Sequence, residues 1–204
     1  MKKFLLVLLL SLVTLPAFSA FRYGPIVGIN GSTLTWKQDL VTTKSMVGGS
    51  VGVLGELMIP GIGFGIDMGL RYQLNGAKVN FGERYVWGGP PDYMGNESVW
   101  FHTLQIPIDL RFKYTRLNGV ERIVAPFVFA GPVFTFNLAT NKVPVIKHPA
   151  GTVDIQFGLG AELIERLQIF GGYYFGVSYQ VQTIKLDNFS ARPQGWFINA
   201  AWLF

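Results

Sequence analysis

The chain has 204 residues, a net charge of +5, no cysteine and 25 glycines, with 15% aromatic and only 14% charged residues. A soluble domain carries about a quarter charged residues, so the balance points to a membrane protein or a glycine-rich β protein. Lack of cysteine excludes disulfides and thiolate metal sites. The small basic excess, two charges of it in Lys2 and Lys3, forms no stripe of the kind that binds nucleic acid.

The N-terminus reads MKKFLLVLLLSLVTLPAFSA. Lys2 and Lys3 precede an apolar run from Phe4 to Leu15, shorter than the ~20 residues a spanning helix needs. Pro16 breaks the run and small residues follow, with Ala17 and Ser19 at the −3 and −1 positions of a cleavage site. Residues 1–19 are therefore expected to be a secretory signal peptide, cleaved after Ser19 or, second, after Ala20, where bulky Phe18 would occupy −3. The mature chain, 20–204, holds no further long apolar helix candidate.

Eight strand segments follow, near residues 22–36, 46–59, 62–74, 98–115, 122–138, 151–164, 166–182 and 194–204. In the third, Ile62, Phe64, Ile66, Met68, Leu70 and Tyr72 share one parity, while Gly63, Gly65, Asp67, Gly69 and Arg71 share the other. That is a strand with one wholly apolar face. In the fourth, Trp100, Leu104, Ile106, Ile108, Leu110, Phe112 and Tyr114 oppose Thr103, Gln105, Asp109, Arg111 and Lys113. The fifth is apolar at both parities over 123–136, so periodicity leaves open which way Phe127 and Phe129 face; a register switch near Gly131-Pro132 would reconcile the two halves, and Pro107, Pro126 and Pro132 predict bulges or irregular pairing. In the sixth, Val153, Ile155, Phe157 and Leu159 oppose Asp154, Gln156, Gly158 and Glu162. The seventh sets Ile169, Tyr173, Phe175 and Val177 against Gln168, Gly172, Gly176 and Ser178, and the last groups Trp196, Ile198, Trp202 and Phe204.

The connections at 60–61, 117–119 and 165–166 are short, whereas 37–45, 75–97, 139–150 and 183–193 are longer and more polar. An even strand count, short turns alternating with long loops, and aromatic strand ends describe a transmembrane barrel. Open strand edges cannot face lipid, so the sheet must close. The expected fold is an all-β, eight-stranded antiparallel up-and-down transmembrane β-barrel in the outer membrane of a Gram-negative bacterium. A soluble lipocalin-like barrel would place the charges in water, but it would drive all the aromatic strips into an eight-stranded core. With the apolar face in lipid, Glu56, Asp67, Arg71, Asp109, Arg111, Asp154 and Glu162 point inward. They are expected to form a paired, hydrogen-bonded lumenal network, because unpaired buried charges are costly. An eight-stranded interior is just filled by side chains, which argues against a pore.

Several stretches resemble the PorT-like outer-membrane β-barrel family of Bacteroidetes-type small porin-family barrels. They are GINGS (28–32), LRYQLNGAK (70–78), LQIPIDLRFKY (104–114), FVFAGP (127–132), DIQFGLGAEL (154–163) and terminal Phe204. The resemblance implies an eight-stranded outer-membrane barrel whose C-terminal aromatics, Trp202 and Phe204, are read by the barrel-insertion machinery. It also implies, for the namesake's role, a subunit of an envelope protein-secretion or gliding complex. Fold does not carry function, and no residue marks that role.

His102 lies on the lipid-facing parity near the outer rim, with Glu97 and Ser98 nearby, the types a lipid-modifying hydrolase uses. The plainer reading is a rim histidine among interfacial aromatics, and no catalytic residue is assigned. His148, Asp92 and Glu97 are too few and too separated for a metal site, and no cofactor is expected. Tyr85, Trp87 and Tyr93, in the loop from 82 to 100, are the types enriched in binding surfaces and are candidates for recognition of a protein or glycan. Lys37, Lys44, Lys78, Arg84, Lys142, Lys147, Lys185 and Arg192 lie in or beside the outer loops, where lipopolysaccharide phosphates are the expected counter-charge. The expected partners are outer-membrane lipid, lipopolysaccharide, the insertion machinery and an envelope protein.

Overall fold

The structure, a computed structural model, describes residues 20–36, 42–59, 61–80, 96–114, 119–140, 146–147, 150–179, 181–183 and 190–204. The expected signal peptide lies outside these residues. Among the described residues ten strands follow in chain order: β1 (Ala20–Trp36), β2 (Thr42–Met58), β3 (Phe64–Asn80), β4 (Asn96–Lys113), β5 (Val124–Thr140), β6 (Ile146–Lys147), β7 (Gly151–Leu163), β8 (Leu167–Gly176), β9 (Val181–Thr183) and β10 (Ser190–Trp202). The eight long ones pair antiparallel in sequence order, β1-β2-β3-β4-β5-β7-β8-β10. β10 then pairs β1, from Ile26 opposite Ala201 to Trp36 opposite Ala191. This pairing closes the wall and leaves no open edge in it. β9 prolongs the line of β8 along β10, and the two-residue β6 pairs with β9.

The turns between β2 and β3 and between β7 and β8 lie at one end of the barrel, with Ala20 and Phe204. This end is called inner here. Gly61 and Gly63 carry the first turn at φ 82° and 79°, a region open to glycine at little cost. In the second, Ile164 and Glu165 hold φ 55° and 58°. The turn is tied down by the Ile164 amide donating to the Ile123 carbonyl at 3.0 Å and by Arg22 donating to the Glu165 carbonyl at 2.5 Å. The C-terminus is tied as well. The Leu203 and Phe204 amides donate to the carbonyls of Arg166 and Tyr23, both at 2.9 Å.

Several strands outrun the segments expected from parity, whereas β8 stops at Gly176, short of the expected 182. β2 and β3 run on through 42–45 and 75–80, and β4 begins at Asn96, so parts of the expected loops belong to the wall. With 17 residues, β3 is about 55 Å long. At the usual tilt it rises about 40 Å, more than the ~25 Å apolar band of such barrels, so its outer end clears the bilayer.

Outward positions are apolar around the whole wall, among them Val27, Ile29, Val51, Val53, Ile66, Leu70, Leu110, Val128, Phe157, Leu159 and Ile198. So continuous an exposed apolar surface has lipid as its solvent. Inward positions alternate with these, and β5 obeys the same rule from Val124 to Phe136. Val124, Pro126, Val128, Ala130, Pro132, Phe134 and Phe136 face out, while Phe127, Phe129, Val133 and Thr135 face in. β5 and β7 keep one register past Gly131-Pro132, so no switch occurs there. Proline acts more mildly than expected. Pairing lapses without a shift at Pro107 on the β3 side and opposite Pro132 on the β4 side, and it runs through Pro126. The shift between β4 and β5 falls instead at His102/Thr103.

Candidate functional site in the barrel lumen

The inward residues stack in three tiers because each strand reads in a similar order from its inner end. β1 runs Arg22, Ile26, Asn30; β2 runs Glu56, Leu54, Ser50; β7 runs Glu162, Gly160, Gly158, Gln156, Asp154. Charge therefore gathers at the inner end, apolar groups sit above it, and polar groups share the outer half with buried Leu34, Val99, Phe101 and Val133.

The inner tier joins three cations to three carboxylates. Glu56 accepts from Arg111 at 2.5 Å, Lys113 at 3.1 Å, Gln168 at 2.5 Å and also from Arg22. Glu162 accepts from Arg22 at 2.5 Å, Lys113 at 2.8 Å and Gln168 at 2.8 Å. Arg111 also pairs with Asp67. All these side chains are buried except that of Arg22, which reaches the inner mouth. Below them lies a depression of about 500 Å³, whose lining includes Met58, Glu165, Arg166 and Phe204.

The middle tier is made of rings. Phe129 lies 5.4 Å from Phe170 and 6.1 Å from Phe197, and Phe127 lies 6.0 Å from Phe170. The Arg111 guanidinium stacks on Phe127 at 3.9 Å, and that of Arg71 lies 5.8 Å from Phe197. One arginine from each neighbouring tier thus rests on the layer. Glycine makes the room. A Cβ on Gly158 would stand 2.6 Å from the tip of Phe129, and one on Gly160 would stand 2.7 Å from the tip of Phe127.

The outer tier is largely neutral. Arg71 donates to Gln156 at 3.1 Å, and Gln156 donates to Asp109 at 2.6 Å, so an amide relays between the two charges. Asp154 accepts from Thr135 at 2.9 Å and, among the described residues, has no cation in ion-pair contact. Asn75 accepts from Asn30 at 2.9 Å and from Gln73 at 2.6 Å, and Ser32 exchanges bonds with the Gly76 backbone. A cavity of about 10 Å³, the size of one water, lies between Arg71, Gln105, Asp154, Gln156 and Tyr174.

The seven carboxylates and arginines expected in the lumen are all buried there, in two groups. Glu56, Asp67, Arg111 and Glu162 belong to the inner tier, and Arg71, Asp109 and Asp154 to the outer. Among the described residues Asp154 has no ion pair, and Arg71 and Asp109 meet only through Gln156. Arg22, Lys113 and Gln168 belong to the inner tier beyond the residues singled out from sequence. Their signal was parity, since Arg22 lies between outward Phe21 and Tyr23. Tyr85, Trp87 and Tyr93 lie outside the described residues, as do Lys37, Arg84, Lys142, His148, Lys185 and Asp92. Trp202 and Phe204 face outward at the inner rim. At the outer rim, Tyr72 Oη lies 2.5 Å from His102 Nδ1. Ser98 shares that face four residues away, about 13 Å along the strand, too far for a hydrogen-bonded dyad. No group of three or more metal-binding side chains occurs among the described residues.

No family model matches the chain, and no curated relative matches it. Solved structures do. The outer membrane protein OprG from Pseudomonas aeruginosa aligns with a TM-score of 0.51 at 9% identity, covering 90% of this chain and 95% of that one. Ail, the attachment invasion locus protein of Yersinia pestis, solved with the heparin analogue sucrose octasulfate, aligns at 0.46 and 12% identity over 90% and 99%. Escherichia coli outer membrane protein W aligns at 0.43 and 12% identity over 89% and 98%. The chain has the fold of a small eight-stranded outer-membrane β-barrel.

Proposed function

We propose that the chain is a non-conducting barrel of the outer membrane of a Gram-negative bacterium, with a structural or interaction role and no catalytic step. The filled lumen carries this reading. Six ion pairs at the inner end and a layer of four phenylalanine rings stand across the bore. The protein reconstituted in a planar bilayer is expected to show no steady conductance, while a folded band that shifts on boiling certifies the barrel. A stable ohmic conductance from the folded form overturns the proposal. Trp202 and Phe204, outward at the inner rim, fit a terminal signal for the insertion machinery.

The resemblance to PorT-like barrels supports a second reading, a subunit of an envelope secretion or gliding complex. The depression at the inner mouth, with Arg22, Glu165 and Arg166 at its edge, gives a partner a charged surface to meet. Cross-linking in intact cells followed by mass spectrometry separates the two. One stoichiometric envelope protein selects the subunit, and capture of lipopolysaccharide with abundant bystanders selects the stand-alone barrel.

A further inference from the structure

The outer ends of β2, β3 and β4 carry an arrangement that the lumen does not use. Lys44 stands directly opposite Lys78, and Lys78 directly opposite Ser98. Directly opposed residues share a face with Cβ atoms about 5 Å apart, and like charges so placed repel. Both lysines are exposed, and neither has an ion pair among the described residues. A wall that holds two ammonium groups side by side is stabilised by whatever anion bridges them.

The neighbouring side chains say where that anion comes from. Two residues nearer the membrane, Trp100 lies opposite Gly76, where a Cβ would stand 3.2 Å from the indole and 3.2 Å from the Met46 sulfur. Next come His102 and Tyr72, in contact with each other. Indole and phenol rings settle at the level of lipid headgroups. The lysines stand about 7 Å farther out along the strands, roughly 35 Å above the inner rim at the usual tilt. A free anion would meet the lysines alone, whereas a lipid would meet the lysines with its phosphate and the rings with its acyl chains.

We infer that Lys44 and Lys78, above the Trp100–His102–Tyr72 face, form a binding site for the phosphate of an outer-leaflet glycolipid. Two compact ammonium groups offer six donors to the phosphate oxygens in charge-assisted bonds. Long, flexible stems let the charged heads reach up to them from the barrel wall. The inference rests on the outer-membrane placement of the barrel.

The test is native mass spectrometry of the detergent-solubilised barrel with three probes: diphosphoryl lipid A, the same lipid stripped of phosphate, and inorganic phosphate. The expected result is at least tenfold tighter binding of the diphosphoryl lipid than of the stripped one. In a Lys44→Gln/Lys78→Gln double variant that difference falls to within twofold, while Arg122→Gln, the same kind of change in the turn between β4 and β5, leaves it intact. Equal binding of the two lipids overturns the inference, as does a double variant that keeps the preference. Inorganic phosphate held as tightly as the lipid overturns the assignment to lipid. The shift of the folded band on boiling reports folding in every variant, so a misfolded variant is set apart from a failed site. A failure here with the band shift intact leaves the outer-membrane barrel standing.

Discussion

The two ends of the lumen solve the same problem, polar side chains in a closed barrel, in opposite ways. At the inner end three cations face three carboxylates, and Gln168 bridges Glu56 and Glu162. In the outer half one arginine faces two aspartates, and amides and hydroxyls do most of the bonding. Buried atoms with no hydrogen-bond partner among the described residues occur in both tiers: Asn30 Oδ1, Asp109 Oδ1, Asp154 Oδ1 and Asn199 Nδ2 in the outer, and Asp67 Oδ1, Arg111 Nε and Gln168 Oε1 in the inner. A buried polar group without a protein partner depends on water. The inner tier is thus a mutually neutralised ionic lock, and the outer tier relies on amides and hydroxyls. The phenylalanine layer is the boundary that lets both exist within one bore.

The contrast is broken most forcefully at Glu56. Removing its charge leaves Arg22, Arg111 and Lys113 with less negative charge than they need. Stripping one partner from a buried ionic cluster costs about 3–5 kcal/mol. Glu56→Gln is expected to lower stability by that amount in urea unfolding followed by tryptophan emission in lipid vesicles. A loss below about 1 kcal/mol would mean that water reaches the inner tier, and the contrast between the ends would fail.

The boundary is the next point to press. At Gly158 an added Cβ would stand 2.3 Å from the Gly171 carbonyl and 2.9 Å from Gly172 Cα, besides the Phe129 tip. Overpacking of this kind costs about 1–3 kcal/mol. Gly158→Val is expected to fall in that range in the same assay, and adding Phe129→Leu should recover only part, because the backbone clashes stay. Full recovery would show that the ring alone sets the spacing of β7 and β8.

How much of this was legible in the sequence depends on the range of the signal. Parity is local, and it put Asp67 and Arg71 of β3, Asp109 and Arg111 of β4, and Asp154 and Glu162 of β7 on the inner face. It left β5 open, where Phe127 and Phe129 face inward like any other odd position. The rule that polar residues face in fails there because Gly158, Gly160 and Gly172 leave space that only large apolar rings fill. That space belongs to neighbouring strands, and no periodicity within β5 contains it. The grouping into tiers was hidden for the same reason. Which carboxylate meets which cation depends on the stagger of strands around the barrel, as with Arg22 and Glu162, 140 positions apart.

The smallest expected effect is the sharpest test of the outer tier. Asp154 is buried as deeply as the carboxylates of the inner tier, yet its protein partner is a hydroxyl, Thr135. Asparagine keeps an oxygen to accept that bond and removes a charge that no cation balances. A neutral hydrogen bond contributes about 1 kcal/mol net, and here it survives the exchange. Asp154→Asn is therefore expected to unfold within about 1 kcal/mol of the parent, in either direction, under conditions where Glu56→Gln loses several. The two substitutions are chemically alike and comparably buried, so any difference between them measures the neighbours and not the residue. If Asp154→Asn cost as much as Glu56→Gln, a cation from beyond the described residues would have to stand against Asp154, and the outer tier would be a second lock.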